Sequence, residues 1–235
     1  MNPHRQLDLP GQSHVAEGPH DQSGMYLMHF AFRRDLDSFV RAVRATPVGD
    51  TATWQALRAR WDRFAVVLHH HHSVEDTAIW PVLLDHARTS GATADERTLL
   101  DMEAEHDGID PALTACASGF AAMLDHPCDD HRNALDVRVT AARELLAVHL
   151  RHEETEALPL LQRTMSADEF AASEAAAGQG YPLRLVPFLV PWVLHGLPGD
   201  DGRAFIAAQG RAYSVLHRLT RRRFERGELR AFRYA

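Results

Sequence analysis

Two stretches of the chain repeat one pattern of histidine, glutamate and proline, and this repeat constrains the fold more than any other feature. The first stretch, from His71 to Pro81, reads HHSVEDTAIWP, and the second, from His149 to Pro159, reads HLRHEETEALP. In each, the first histidine is followed four residues later by a glutamate, then by an acid, and six residues after the glutamate by a proline. Residues four apart lie on one face of an α-helix. The repeat therefore predicts two helices that each direct a histidine and a glutamate toward one point.

A single histidine precedes each pair on a separate helix. His29 lies 42 residues before His71, and His106 lies 43 residues before His149. Both single histidines belong to apolar stripes of helical period. The chain thus contains two copies of one unit, and a helix pair of this kind buries its apolar face only against a second pair. Short breaks between long helices favour antiparallel neighbours.

We therefore predict an all-α protein whose centre is an up-down-up-down four-helix bundle over residues 23–165. Residues 1–22 are polar and contain three prolines, which predicts a flexible N-terminal arm. Residues 166–235 are expected to form a C-terminal helical extension. The domain order is then arm, bundle and extension.

The extension is expected to pack back on the bundle rather than to form a separate partner surface. Four apolar residues of its last helix are the predicted contacts: Val215, Leu216, Leu219 and Phe224. The most apolar run, residues 183–194, is expected to cover one end of the bundle or to form a homodimer contact. It contains two prolines and is too short to span a bilayer, which needs about 20 residues.

Composition excludes several classes of function. A net charge of −7 disfavours a nucleic-acid binder, and two cysteines are too few for a disulfide scaffold or a cysteine-rich metal site. No signal-peptide pattern opens the sequence, so we expect a cytoplasmic protein without membrane or nucleic-acid partners. The 16 histidines are the unusual count, and they indicate metal binding.

Six of the residues above form the candidate metal site. They are His29, His71, Glu75, His106, His149 and Glu153. Two glutamates from opposing helices can each bridge two metals, and buried carboxylates need compensating cations. Imidazole and carboxylate ligands without thiolate suit iron, manganese or zinc.

The pattern H-HxxxE-H-HxxxE on four helices resembles the hemerythrin-like (HHE cation-binding) family, over about residues 24–165. That resemblance implies a left-handed bundle with a non-haem di-iron centre and an oxo or hydroxo bridge. It places His29 and His71 on one iron, His106 and His149 on the other, and both glutamates between the two. Manganese and zinc are alternative occupants.

One departure from the family pattern bears on function. The oxygen-carrying members have a fifth imidazole one turn after the single histidine of the third helix, where this chain has Asp110 followed by Pro111. The chain therefore resembles the subset associated with peroxide decomposition or redox stress. We expect a centre that disproportionates hydrogen peroxide, with a module that binds or senses oxygen or nitric oxide, or buffers iron, as the alternative without catalysis.

Other polar residues near the motif have less defined roles. Tyr26 and Asp110 are candidates for additional metal ligands. Three histidines beside His71, at positions 69, 70 and 72, are expected to point away from it, because successive helix residues are rotated by about 100°. His152 and Glu154 are the nearest candidates for proton transfer, and no catalytic residue separate from the metal ligands is required.

Ferritin-like iron chemistry is a competing interpretation. It uses two Glu-x-x-His motifs and two further glutamates. This chain has one such motif, Glu103-x-x-His106, and its other pairs run in the order His then Glu. The ferritin-like pattern is therefore the weaker match.

Overall fold

A computed structural model describes residues 6–199 and 201–235, and their regular structure is helical. The elements are α1 Ser23–Ala45, α2 Thr51–Val74, a π-helical turn π1 Glu75–Ile79, α3 Trp80–Ser90, α4 Thr93–Asp125, α5 Asp129–His152, a second π-helical turn π2 Glu153–Ala157, α6 Leu158–Thr164, α7 Ala167–Ala177, α8 Val186–Val193, α9 Asp201–Ala208 and α10 Gly210–Ala231. None of these helices is long and apolar enough to cross a lipid bilayer.

Four helical runs close into a bundle. Helix α1 packs against α5, α5 against α4, α4 against α2, and α2 against α1. The interior is filled by the apolar stripe of α1 and by aromatic residues of its neighbours. Phe39 of α1, for example, meets Trp61 of α2 with ring centroids 5.0 Å apart. The predicted four-helix bundle with a helical extension is confirmed.

Short polar breaks define where the helices begin and end. The Asp50 side chain accepts a hydrogen bond from the Thr53 backbone N–H and so caps the start of α2. Gly91 ends α3 with a φ of 72°, the left-handed conformation in which a side chain is disfavoured. The Cys128 sulfur caps α5 through the His131 N–H. Such short connections keep consecutive helices adjacent.

A π-helical turn begins at the glutamate of each repeat. The Trp80 N–H bonds to the Glu75 carbonyl, and the Leu158 N–H bonds to the Glu153 carbonyl, five residues back in each case. A proline, which has no N–H and clashes with the carbonyl four residues back, follows one residue later in both repeats. The wide turn removes that clash. Each glutamate therefore sits where the hydrogen-bond register changes, a feature frequent at functional sites.

Residues 6–22 lie against the bundle, with contacts to α1, π2 and α6. Leu9 and Ala16 are buried, and the Gln162 side chain accepts from the His20 backbone N–H and donates to the Ala16 carbonyl. Where the sequence predicts a flexible arm, buried apolar side chains and hydrogen bonds attach these residues to the bundle. Residues 1–5 lie outside the described part of the chain.

The extension is joined to the bundle by a buried polar network around Asp35 of α1. The Trp192 indole N–H donates to Asp35 at 2.7 Å. Arg60 of α2 donates to Asp35 and to Glu228 of α10, each at 2.6 Å. Three segments that are distant in sequence therefore meet at one carboxylate.

The last helix packs on the bundle as expected, but through a different face. Phe224 is 6% exposed, whereas Val215 and Leu219 are 49% and 71% exposed. The buried face also contains Glu228 and Ala231. The prediction is confirmed for Phe224 and wrong for Val215 and Leu219, which lie on a different face of the helix from Phe224, Glu228 and Ala231.

The apolar run at 183–194 covers the side of α1. Trp192 is fully buried and lies 5.5 Å from the ring of Phe32, which in turn lies 5.1 Å from the ring of His71. This segment is thus one aromatic ring away from the candidate metal site. A homodimer contact there stays a prediction.

Candidate metal centre

Seven side chains converge in the middle of the bundle, and none is more than 8% exposed. They form two groups: a first group of His29, His71, Glu75 and Glu153, and a second group of His72, Glu75, His106 and His149. Within each group, one ligand atom from every residue lies within 4.8 Å of the others. All six residues singled out from the sequence are present, and Glu75 belongs to both groups.

The two glutamates lie between the groups. Glu75 Oε1 is 3.0 Å from His71 Nε2, and its Oε2 is 3.5 Å from His106 Nε2. Glu153 Oε2 is 3.2 Å from His29 Nε2 and 3.8 Å from His149 Nε2. Each carboxylate therefore faces one histidine of the first group and one of the second, as a bridging ligand must.

The acid that follows each glutamate in the repeat holds the single histidine of the other half. Asp76 Oδ1 lies 2.8 Å from His106 Nδ1, and Glu154 Oε1 lies 2.9 Å from His29 Nδ1. A carboxylate at Nδ1 favours the tautomer with its proton there, which leaves the Nε2 lone pair free for a metal. The acidic pairs of the sequence thus combine a bridging residue with an orienting residue.

Glu105 performs the same task for His149, and sequence reasoning missed it. Its two oxygens each lie 2.8 Å from an imidazole Nδ1, one of His149 and one of His152. Burial opposes ionisation of Glu105, but these two contacts outweigh it and lower the pKa of the carboxyl. Glu105 does not belong to the repeated pattern, so only the structure identifies it.

Hydrogen bonds and a salt bridge favour the ionised form of Glu154. Arg33 donates to both of its oxygens, at 2.8 and 2.9 Å, and the Ser13 backbone N–H donates at 2.7 Å. Burial raises the pKa of this carboxyl, yet the contacts with His29 and Arg33 lower it overall. A carboxylate held in this way orients His29 and is a poor proton donor, so of the two proposed proton-transfer residues His152 is the better placed.

His72 lies inside the second group, which corrects the expectation that it points away. Its ring stacks on His106 with centroids 4.0 Å apart and planes 9° apart, and it lies 5.2 Å from the His149 ring. It is 3% exposed, and neither ring nitrogen has a hydrogen-bond partner among the described residues. Positions three and four before Glu75 both share its helix face, so α2 presents His71 toward α1 and His72 toward α4. The run of four histidines was the available signal.

The structure does not bring the two additional candidates to the groups. The Tyr26 hydroxyl accepts from the Ala16 N–H at 2.8 Å and donates to Gln22, and burial raises the pKa of Tyr26 to about 12. The Asp110 side chain is 50% exposed and lies 3.3 Å from the surface residue His69. Tyr26 thus anchors the N-terminal segment, and Asp110 lies on the surface.

His69, His70 and Glu103 lie outside the two groups, as the sequence predicts. The His69 side chain is 65% exposed, and the His70 ring lies against Tyr181 at 3.9 Å. Within the described residues, Glu103 belongs to neither converging group. The ferritin-like interpretation therefore has no support from the geometry.

The converging residues fit a pair of metal ions. Both oxygens of Glu75 and of Glu153, and Nε2 of His29 and of His71, have no hydrogen-bond partner among the described residues. Burial and the neighbouring carboxylates raise the pKa of Glu75 well above its ordinary value. Polar atoms left without partners in a dry interior are costly. Cations bound to these nitrogen and oxygen atoms would satisfy them, and the donor set suits iron, manganese or zinc.

In the metal-free protein, the charged neighbours in the first group shift the pKa values of His29 and Glu153. Burial opposes protonation of His29, but Glu153 and Glu154 outweigh it and raise its pKa to about 9. Burial likewise opposes ionisation of Glu153, and His29 and the other histidines lower its pKa to about 2. The carboxylates thus favour the protonated form of His29 when no metal is bound, and a metal on its Nε2 would compete with that proton.

Comparison with protein families gives one result that agrees with this geometry. The family model described as the hemerythrin HHE cation binding domain matches residues 21–161, more than half of the chain. Comparisons with curated proteins and with solved structures give no significant match. The matched range contains all seven converging residues and ends before α7.

Proposed function

Because the chain belongs to the hemerythrin HHE cation-binding family, we propose that its seven converging side chains hold two iron ions. The observation that carries this proposal is the sharing of Glu75 by two groups of donors. A carboxylate between two sets of imidazoles can bridge two metals if each set holds one. The family match supports a metal-binding module, and the choice of iron and the number of ions belong to the proposal.

The five imidazoles divide unequally in this assignment. His29 and His71 would hold the first iron, whereas His72, His106 and His149 would hold the second. Glu75 and Glu153, which lie between the two groups, would contribute carboxylate oxygens to both. Compared with the sequence-based set, His72 is the one addition.

We propose that the centre reacts with a small oxidant, and that the first candidate is hydrogen peroxide, two molecules of which give two water molecules and one dioxygen. Bound iron would pass the two electrons from one peroxide molecule to the other. The protein supplies a proton-exchanging pair beside the centre: His152, whose side chain is 28% exposed, contacts Glu105, which also orients His149. This pair can take up and return protons between the oxidation of one peroxide molecule and the reduction of the other.

Reversible binding or sensing of oxygen or nitric oxide is the second candidate, and His72 is the observation that favours it. The preference for peroxide rested on the missing fifth imidazole of the third helix. His72 brings the number of converging imidazoles to five from a different helix. The five-imidazole count typical of oxygen carriers is therefore available in this chain.

Metal analysis tests the centre itself. We expect the chain to retain two iron ions after anaerobic loading with iron(II), and to develop the absorption bands of an oxo-bridged pair in air. Substitution Glu75→Ala should abolish both signals, whereas His69→Leu at the surface should preserve them. Retention of zinc alone, with iron excluded, would contradict the proposal.

A second experiment separates the two candidates. An oxygen electrode should record dioxygen evolution from peroxide at a rate well above that of equimolar free iron. A spectrum that changes reversibly with oxygen, without evolution from peroxide, would assign the chain to carriage or sensing. Full iron content with neither response would favour the remaining alternative, an iron buffer.

A further inference from the structure

A pocket of about 230 Å³ opens beside the first group of donors, between the bundle and the C-terminal extension. We propose that this pocket binds an uncharged, mainly apolar organic molecule of about nine non-hydrogen atoms next to the metal centre. The closeness to metal rests on the proposed function, whereas the binding itself does not need the metal.

The pocket has two walls of different origin. The bundle contributes Met25, Leu27 and Met28 of α1, together with His71 and Glu75 of the first group. The extension contributes apolar side chains from α8 and α9 on the opposite side: Leu189, Val190, Val193 and Phe205. The wall formed by the extension lies beyond the matched family range. The pocket is therefore a feature of this chain and not of the four helices alone.

The volume exceeds what a small oxidant requires. A water molecule occupies about 30 Å³ in the liquid, and an apolar cavity of about 150 Å³ binds benzene. At about 230 Å³, the pocket accepts a molecule half again as large as benzene. Access for peroxide or dioxygen alone does not need this space.

The lining indicates the chemical class of the molecule. No arginine is among the lining residues, and the acids among them are Glu75 and Glu174. Burial raises the pKa of Tyr213 to about 12 and also raises that of Tyr181, so both hydroxyls stay neutral. An anion would find no arginine in the lining to pair with, and a cation would lose its hydration to mostly apolar walls. An uncharged molecule meets neither cost.

Binding can be measured on the full metal-free chain with indole as the probe and benzoate as its anionic counterpart of equal size. Isothermal titration calorimetry should give a dissociation constant below about 1 mM for indole. The constant for benzoate should be at least tenfold weaker. Equal affinity for the two probes would overturn the assignment to an uncharged molecule.

Two variants locate the binding site. Val190→Trp fills the pocket and should weaken indole binding at least tenfold, whereas Leu219→Trp, at a position 71% exposed, should not. If Val190→Trp fails to fold, Phe205→Ala removes part of the outer wall without touching the bundle and should weaken binding severalfold. Unchanged affinity in both folded variants would overturn the proposal.

Closeness to the metals needs its own measurement. Indole protons should relax faster in the presence of the manganese-loaded protein than with the zinc-loaded protein, because manganese(II) is paramagnetic. Binding without this effect would place the probe elsewhere and refute the proposed pocket. Indole binding to a chain that retains no metal would instead count against the proposed function and leave the pocket's ligand class intact.

Discussion

The two halves of the bundle share one arrangement of polar residues, and two of the equivalent positions at which they differ lie at the candidate metal centre. The shared pairs are His29 with His106, His71 with His149, Glu75 with Glu153, and Asp76 with Glu154. The first half has His72 where the second has the buried Leu150, and the second has Glu105 where the first has Met28. One half therefore contributes an additional metal donor, and the other contributes an additional orienting carboxylate.

This difference gives the centre two unlike sides. On the first side His71 packs against Phe32 and lines an apolar pocket. On the second side His149 is connected through Glu105 to His152, which reaches the surface. An organic molecule would approach from the apolar side, and protons would arrive from the polar side. The repeated residues form most of the candidate ligand set. The residues that differ between the halves make one side of the centre apolar and the other side polar.

The sharpest test of the comparison is the pair Glu75→Ala and Glu153→Ala. Both glutamates face histidines of the two groups, but only Glu75 has ligand atoms within 4.8 Å of every other donor in both, so its loss should weaken metal binding more. We expect Glu75→Ala to lower the affinity for both irons by more than the roughly 100-fold cost of removing an outer partner. Mass spectrometry of metal content after dialysis measures this. Equal losses in the two variants would show that the halves are functionally equivalent.

Substitution His72→Leu makes the first half resemble the second at this position. The second group would retain two imidazoles, as many as the first group has, so we expect its iron to be lost more readily to a chelator and the absorption spectrum to change. His69→Leu, three residues earlier and exposed, is the matched control. Full occupancy with an unaltered spectrum in His72→Leu would remove His72 from the ligand set.

Substitution Glu105→Met gives the second half the residue that the first half has at the equivalent position, Met28. His149 would lose its orienting carboxylate, and affinity for the second metal should fall by about 10- to 100-fold. Competition with a chelator measures the change, and both metals should still bind at saturation. Glu103→Met, two residues earlier and outside both groups, should have no such effect.

The smallest expected effect concerns Asp35, which attaches the extension to the first half only. The equivalent position in the second half is Ala112. Burial opposes ionisation of Asp35, but Arg60 and Arg34 outweigh it and lower its pKa below the ordinary value. The carboxylate therefore stabilises the fold above about pH 4, and this contribution is lost as the pH falls through the lowered pKa.

Urea unfolding of metal-free wild type and Asp35→Asn between about pH 6 and about pH 3 tests this contribution. The wild type should be the more stable at neutral pH, and the difference in unfolding free energy should shrink on acidification. A difference that stays constant with pH would show that Asp35 contributes only through shape or neutral hydrogen bonds.

The sequence predicted the parts of this molecule that follow helix periodicity. The bundle and six converging residues could be found because positions four apart share a helix face. His72 was expected to point away because it is rotated by about 100° from its neighbour His71. A side chain three residues before Glu75 shares its face equally well, and only the packing of α2 between two neighbours shows that both faces are used.

Other features depend on contacts between distant segments. Neither the pairing of Asp76 with His106 nor that of Glu154 with His29 is visible in a local pattern, because each joins opposite halves. Both π-helical turns begin at a glutamate that is followed six residues later by a proline, and this spacing is visible in the sequence. The hydrogen bond that spans five residues and widens each turn is seen only in the structure. The burial of residues 6–22 depends on Gln162, far along the chain.

The position of the pocket's outer wall has a consequence for the order in which the protein matures. All seven converging residues precede position 154, whereas the side chains of the outer wall follow position 172. During synthesis, which proceeds from the N-terminus, the donors emerge before their cover. A metal ion therefore has this flank of a newly folded bundle open to it until the extension packs there.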